Sequence, residues 1–189
     1  TSLRNLSLYR VKFDQSFSKI LTMEKIRVGK RIRDIAFNKS FNSFFLALEN
    51  NTTSNNTAVG FKALQANTSA TGNVAVGHES LKTNTTGANN TALGNESLEQ
   101  NTTGDTNVAV GAYSLDANTT GVNNVAIGYY SLSAMVTGDN NVAIGRSSLS
   151  NDAGAIQNVA IGALAMSGSS GACYAVSIGY GAGQNLQSN

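Results

Sequence analysis

The sequence predicts an all-β fold whose body is a parallel β-solenoid, or β-roll, of eight 17-residue coils. Two observations carry that expectation: a repeat of constant length, and the residue types in it. The tetrapeptides Thr57-Ala-Val-Gly60, Val74-Ala-Val-Gly77, Thr91-Ala-Leu-Gly94, Val108-Ala-Val-Gly111, Val125-Ala-Ile-Gly128, Val142-Ala-Ile-Gly145, Val159-Ala-Ile-Gly162 and Val176-Ser-Ile-Gly179 space their glycines at one constant interval, without an insertion. Only a geometry that penalises a change of coil length holds such a register. Branched residues in a three-residue run suit a strand, and the interval is about half of what a two-helix repeat needs. Each unit is expected to be one coil of two short strands and two turns. Stacked at about 4.8 Å, eight coils make a rod about 38 Å long.

The columns down the stack define the coil. Four residues before each glycine stands Asn56, Asn73, Asn90, Asn107, Asn124, Asn141 or Asn158, with Ala175 in the last coil. Such a column predicts an asparagine ladder, each amide bonded to the next. Two before the glycine is Ala, or Ser177 in the eighth coil; on either side of it are branched or large apolar residues. Strand alternation puts the branched residues on one face and the alanines on the other. Three after the glycine is Ala or Ser, and four after it Leu64, Leu81, Leu98, Leu115, Leu132, Leu149, Met166 and Gly183. The coil thus has a small-residue face and a large apolar face, and two packings are open. Either the small columns line the interior and the branched face is outside, where a contiguous apolar stripe needs a partner, or Val, Ile and Leu form the core of one chain. In the first case Val125, Ile127, Val142, Ile144, Val159 and Ile161 are the centre of an oligomer interface. The second half of the coil, Asn67-Thr-Ser, Asn84-Thr-Thr-Gly87, Asn101-Thr-Thr-Gly104 and Asn118-Thr-Thr-Gly121, reads as turn chemistry, with Gly or Asn at positive φ.

The motif Asn-Val-Ala-Ile-Gly-x-x-Ser, at Asn124–Ser131 and Asn141–Ser148, resembles the head-domain repeat of trimeric autotransporter adhesins. The longer unit at Asn56–Thr68 is also similar to fibre-like repeats of phage, large-virus and bacterial surface proteins. The resemblance covers about residues 55–181 and implies a left-handed roll, commonly trimeric, with the branched residues packed between protomers. It favours the first packing. It further implies an extracellular, cell-surface or virion-surface location and a structural rod for display or attachment, with a cell-surface glycan or other host surface as partner.

Composition agrees with a non-catalytic protein. Of 189 residues 41% are hydrophobic, enough for a core, while only 13% are charged, where about 25% is typical. One cysteine, Cys173, and one histidine, His78, leave no multi-cysteine or zinc site, and no cofactor motif is present. No run reaches the length of a membrane span. Glu79 and Glu96 share a column, but the acidic residues otherwise scatter, so no carboxylate pair for glycoside chemistry is specified. The alternative function is a binding module on the solenoid, for glycan or ice. For glycan, the variable positions just after the glycines offer Phe61, Tyr113, Tyr129, Tyr130 and Arg146 as ligand contacts. For ice, the paired threonines Thr85-Thr86, Thr102-Thr103 and Thr119-Thr120 are adjacent and so point to opposite sides. Sequons, including Asn67, Asn84, Asn89, Asn95, Asn101 and Asn118, permit a sugar-coated rod.

Residues 1–50 lack the repeat and carry ten Lys/Arg against four Asp/Glu; the rest of the chain carries three against seven. Alternation at Tyr9, Val11 and Phe13 and at Ile26 and Val28 predicts two or three strands. A solenoid end exposes its core, so this segment is expected to cap the rod and attach it to other fibre or virion components. The basic run Lys25–Arg33 has no interleaved stacking aromatics, so nucleic acid is not the expected partner. The organisation expected is a basic segment 1–50, a solenoid 51–181 and a C-terminal tail 182–189.

Overall fold

The computed structural model of the chain describes residues 7–13, 20–27, 31–38, 43–49 and 55–186. The chain divides into two compact units, Thr1–Asn51 and Thr52–Asn189.

In the first unit four strands are formed, where alternation predicted two or three: β1 (Ser7–Phe13), β2 (Ile20–Arg27), β3 (Arg31–Asn38) and β4 (Ser43–Glu49). β1 pairs antiparallel with β2, and β3 with β4. The strand that periodicity missed, β4, contains the run Phe44–Leu48, and a continuous apolar run carries no alternation to read. Val28 and Gly29 in the basic run lie outside the described residues, as do Asn5, Asn50 and Asn51 among the sequons.

The second unit is a parallel β-solenoid. Its eight strands, β5 (Thr57–Val59), β6 (Val74–Val76), β7 (Thr91–Leu93), β8 (Val108–Val110), β9 (Val125–Ile127), β10 (Val142–Ile144), β11 (Val159–Ile161) and β12 (Val176–Ile178), form one sheet in chain order. Pairing is in register throughout, so Val125 lies against Val142 and Val142 against Val159. Each coil contributes one strand rather than the expected two. The remaining sides are turn structure, because the chain enters left-handed φ two and four residues after each glycine and again five before the next, as at Tyr113, Leu115 and Asn123. Those sides are nevertheless stacked by axial hydrogen bonds, for example Leu115 N–H to Ser131 C=O at 2.9 Å and Thr102 N–H to Thr119 C=O at 2.9 Å. The segment expected as a tail is partly solenoid: Met166 donates to Ala182 C=O and Ser170 to Leu186 C=O.

The interior decides between the two packings and agrees with neither completely. The alanines of the strands are inside and the branched residues flanking them are half-buried or exposed, as in the first packing. The leucine column, grouped by sequence with the large apolar face, is also inside: Leu81, Leu98, Leu115, Leu132 and Leu149 are fully buried. Their backbones sit at φ of 48–52°. Left-handed φ costs a non-glycine residue about 1–2 kcal/mol, whereas full burial of a leucine gains about 1.5–3 kcal/mol, so the inward turn is favourable.

Candidate functional site

Three surfaces or lines of residues carry the chemistry of the rod: an internal amide ladder, the outer sheet face, and a corner just after the glycines.

The asparagine column is fully buried from Asn73 to Asn158. Amide-to-amide bonds link its second half, where the Nδ2 groups of Asn124, Asn141 and Asn158 donate to the Oδ1 one coil back at 3.2, 3.0 and 3.1 Å, and backbone groups supply the rest of its bonding. Each Oδ1 accepts the backbone N–H of the asparagine one coil on, as Asn107 does from Asn124 at 2.9 Å and Asn124 from Asn141 at 2.9 Å. Each Nδ2 donates across the coil to a carbonyl near the end of the same turn, as Asn56 does to Ala70, Asn73 to Gly87, Asn90 to Gly104 and Asn158 to Ala172. The side chain therefore satisfies groups on two walls at once. Ala175 ends the column but still donates its N–H to Asn158.

A second inward column was read from sequence as turn chemistry: Asn67, Asn84, Asn101 and Asn118, followed by Met135, Asp152 and Ser169. Asn118 Nδ2 donates to Asn101 Oδ1 at 2.8 Å and Asn101 Nδ2 to Asn84 Oδ1 at 2.7 Å. Its spacing was as visible as that of the first column, and that spacing was the available signal. Four of the sequons, Asn67, Asn84, Asn101 and Asn118, are consequently interior and closed to a sugar; Asn89 is exposed and Asn95 half-buried. The first threonine of each pair is also committed to the stack: the hydroxyls of Thr85 and Thr102 donate to carbonyls one coil on. That leaves Thr86, Thr103 and Thr120 as a single exposed row.

On the outer sheet face the six residues expected at an interface form two rows, Val125-Val142-Val159 and Ile127-Ile144-Ile161. All six are partly open to solvent, with Ile127 37% exposed.

The corner after the glycines is divided along the rod. In the early coils it is ionic. Glu79 accepts from Lys62 at 2.9 Å and from Lys82 at 2.7 Å, and Lys82 reaches Glu99 at 2.7 Å. Hydrogen bonds from Lys82 and then Lys62 hold the Glu79 carboxyl down at about 2, against an ordinary 4.5, so it is an anion in a fixed ion-pair chain. Phe61 stacks on His78 at 5.4 Å, and His78 Nδ1 lies 4.0 Å from Glu96. Further along, the corner becomes aromatic. Tyr113 and Tyr130 stack at 4.9 Å and 15°, and Tyr129 stands edge-on to Tyr130 at 4.4 Å and 89°. The structure thus unites the three predicted tyrosines and places Phe61 in a separate pair. Arg146 stands exposed one coil beyond Tyr129.

Asp116 lies in the same region, and sequence reasoning assigned it nothing. Burial, only partly offset by its own and Ala117's backbone N–H, pushes its carboxyl up to about 6 from 3.8, and Oδ1 is a buried atom without a partner. A raised carboxyl pKa means that the folded chain holds the proton more tightly. The penalty is absent below about pH 4, grows as pH rises, and is complete above about pH 6. Allowing for solvent screening it is worth about 1 kcal/mol. Asp116→Asn is therefore expected to raise the melting temperature by about 2–4 °C at pH 7.5 and by nothing at pH 4. Calorimetry at the two pH values checks this, and equal shifts at both would contradict it.

Among the described residues no group of three or more His, Cys, Asp or Glu is arranged to hold a metal ion. None of them forms a helix long and apolar enough to cross a membrane. Comparison of the chain with protein-family models, with curated proteins and with solved structures returns no match.

Proposed function

We propose that the chain is a segment of an external fibre or adhesin, a rigid non-catalytic rod for display or attachment that associates with copies of itself, most simply as a trimer. The observation that supports this reading is the outer sheet face. Eight in-register strands present Val, Ile, Leu and Thr outward while small residues, leucines and amides fill the inside. A stripe of that kind on a soluble rod asks for a covering surface, and identical copies supply one. Constant coil length and axial bonding on every side make the rod stiff, which suits a spacer. The first unit serves as the attachment segment.

Light scattering of the native protein is expected to give about three times the chain mass of 19.6 kDa. Ile127→Asp with Ile144→Asp is expected to convert it to monomer, because carboxylates in an apolar seam lack partners. Both residues are partly open to solvent within one chain, so their substitution disturbs the seam more than the fold. A stable monomer of the unmodified protein at micromolar concentration would overturn the oligomeric part of the reading.

A second reading, attachment through a bound surface glycan, draws on the aromatic corner. Tyr129 and Tyr130 keep 51% and 36% exposure although they pack on one another.

A further inference from the structure

The tyrosine stack runs along the rod axis. Its 4.9 Å centroid separation matches the coil spacing of about 4.8 Å, and the two rings are near parallel. Tyr113 and Tyr130 occupy the second position after the glycine in successive coils, and the next two residues in that column are Ser147 and Leu164. Serine does not continue the stack. The outer face of Tyr130 therefore looks along the rod toward Leu164, two coil spacings or about 9.6 Å on, with Ser147 at the back. That distance admits one flat ring. Tyr129 forms a wall at 89° to the Tyr130 ring.

The residue before Ser147 brings to this corner a charge that no described residue neutralises. Among residues 55–186 the cationic side chains of lysine and arginine are Lys62, Lys82 and Arg146. Both lysines are ion-paired; Arg146, beside Ser147 and one coil beyond Tyr129, is exposed, and its side chain has no ion-pair or hydrogen-bond partner among the described residues. An aromatic face takes the C–H face of a sugar ring, and a guanidinium takes a carboxylate through two parallel N–H donors.

We propose that Tyr130, Tyr129, Ser147 and Arg146 form a subsite for a carboxylate-bearing pyranose, with the ring seated on Tyr130 at the level of Ser147 and the carboxylate on Arg146. The inference rests on the glycan-attachment reading and narrows it to acidic sugars. The two acidic sources, a hexuronate and a nonulosonate such as sialic acid, share this chemistry.

The test is saturation-transfer NMR and titration of the full chain with three probes: a glucuronate-containing tetrasaccharide, 3′-sialyllactose and uncharged lactose. At least one acidic probe is expected to receive saturation from tyrosine ring protons and to bind tenfold or more tightly than lactose. Arg146→Gln is expected to reduce that probe to the level of lactose. Ser147→Tyr is expected to abolish binding by extending the stack through the notch. Its backbone φ of 52° matches 55° at Tyr130 and 56° at Tyr113, so the column accepts a tyrosine there. Tyr130→Ala provides a second route to the same loss. Equal binding of acidic and neutral probes would overturn the acidic subsite and leave the glycan reading standing. Binding of none of the three would overturn both. Acidic binding unchanged by Ser147→Tyr and Tyr130→Ala would overturn the location.

Discussion

Asn124→Ala is expected to destabilise the solenoid by about 2–6 kcal/mol, the cost of two buried backbone groups left without partners. The side chain is fully buried; its Oδ1 accepts Asn141 N–H at 2.9 Å and its Nδ2 donates to Gly138 C=O at 2.7 Å. Alanine leaves both of those groups unpaired in the interior, each costing about 1–3 kcal/mol. Asn124→Asp separates the two roles. It keeps the acceptor for Asn141 but sets a carboxylate against the Gly138 carbonyl. Burial and that carbonyl raise its pKa in the fold, so stability is expected to recover as pH falls through the folded value, where the protonated acid again donates. Urea unfolding followed by circular dichroism at pH 7 and pH 4 measures both. An alanine variant within about 0.5 kcal/mol of the parent, the range of an ordinary surface substitution, would show that the ladder is not what joins the walls.

Gly128→Ala is expected to cost about 2–6 kcal/mol and to open the rod locally. The glycine sits at φ +130°, and a Cβ built on it would lie 2.6 Å from the oxygen and 2.7 Å from the carbon of the Gly145 carbonyl. Strain at such a φ is worth about 1–3 kcal/mol, and overpacking adds about as much. The obstructing atoms are backbone, and moving them lengthens the coil-to-coil bond from Gly145 N–H to Ile127 C=O, now 2.7 Å. Gly154 is the internal control. Its φ is not positive and nothing lies within 4 Å of a Cβ there. Gly154→Ala should therefore be neutral within about 0.5 kcal/mol. Because each coil touches only its neighbours, hydrogen exchange in Gly128→Ala should show lost protection at Gly145 and Ser147 while Leu81 stays protected. Uniform loss along the rod would refute that locality.

The residues alone determined the coil length, the register and the strand position. A stacked repeat is nearly one-dimensional: each position meets its own copy in the next coil, so a column read from sequence is already a contact. The same property makes Asn124 and Gly128 legible, since one amide and one missing Cβ recur where two coils meet. The path of the chain around each corner was decided by the tertiary structure. Strand alternation separates alanines from branched residues but leaves open which side is the interior, and residue type does not announce the left-handed φ that turns the leucines inward beside the alanines; the Asn67-to-Asn118 column, legible as turn chemistry, is interior as well. The clamping of Glu79 by Lys62 and Lys82, the stacking of Tyr113 on Tyr130 and the isolation of Arg146 follow from the corner that those turns build. In that corner the columns vary from coil to coil, so no repetition amplified a signal. The contacts depend on which side chains the turns bring within reach, and only the folded chain specifies that.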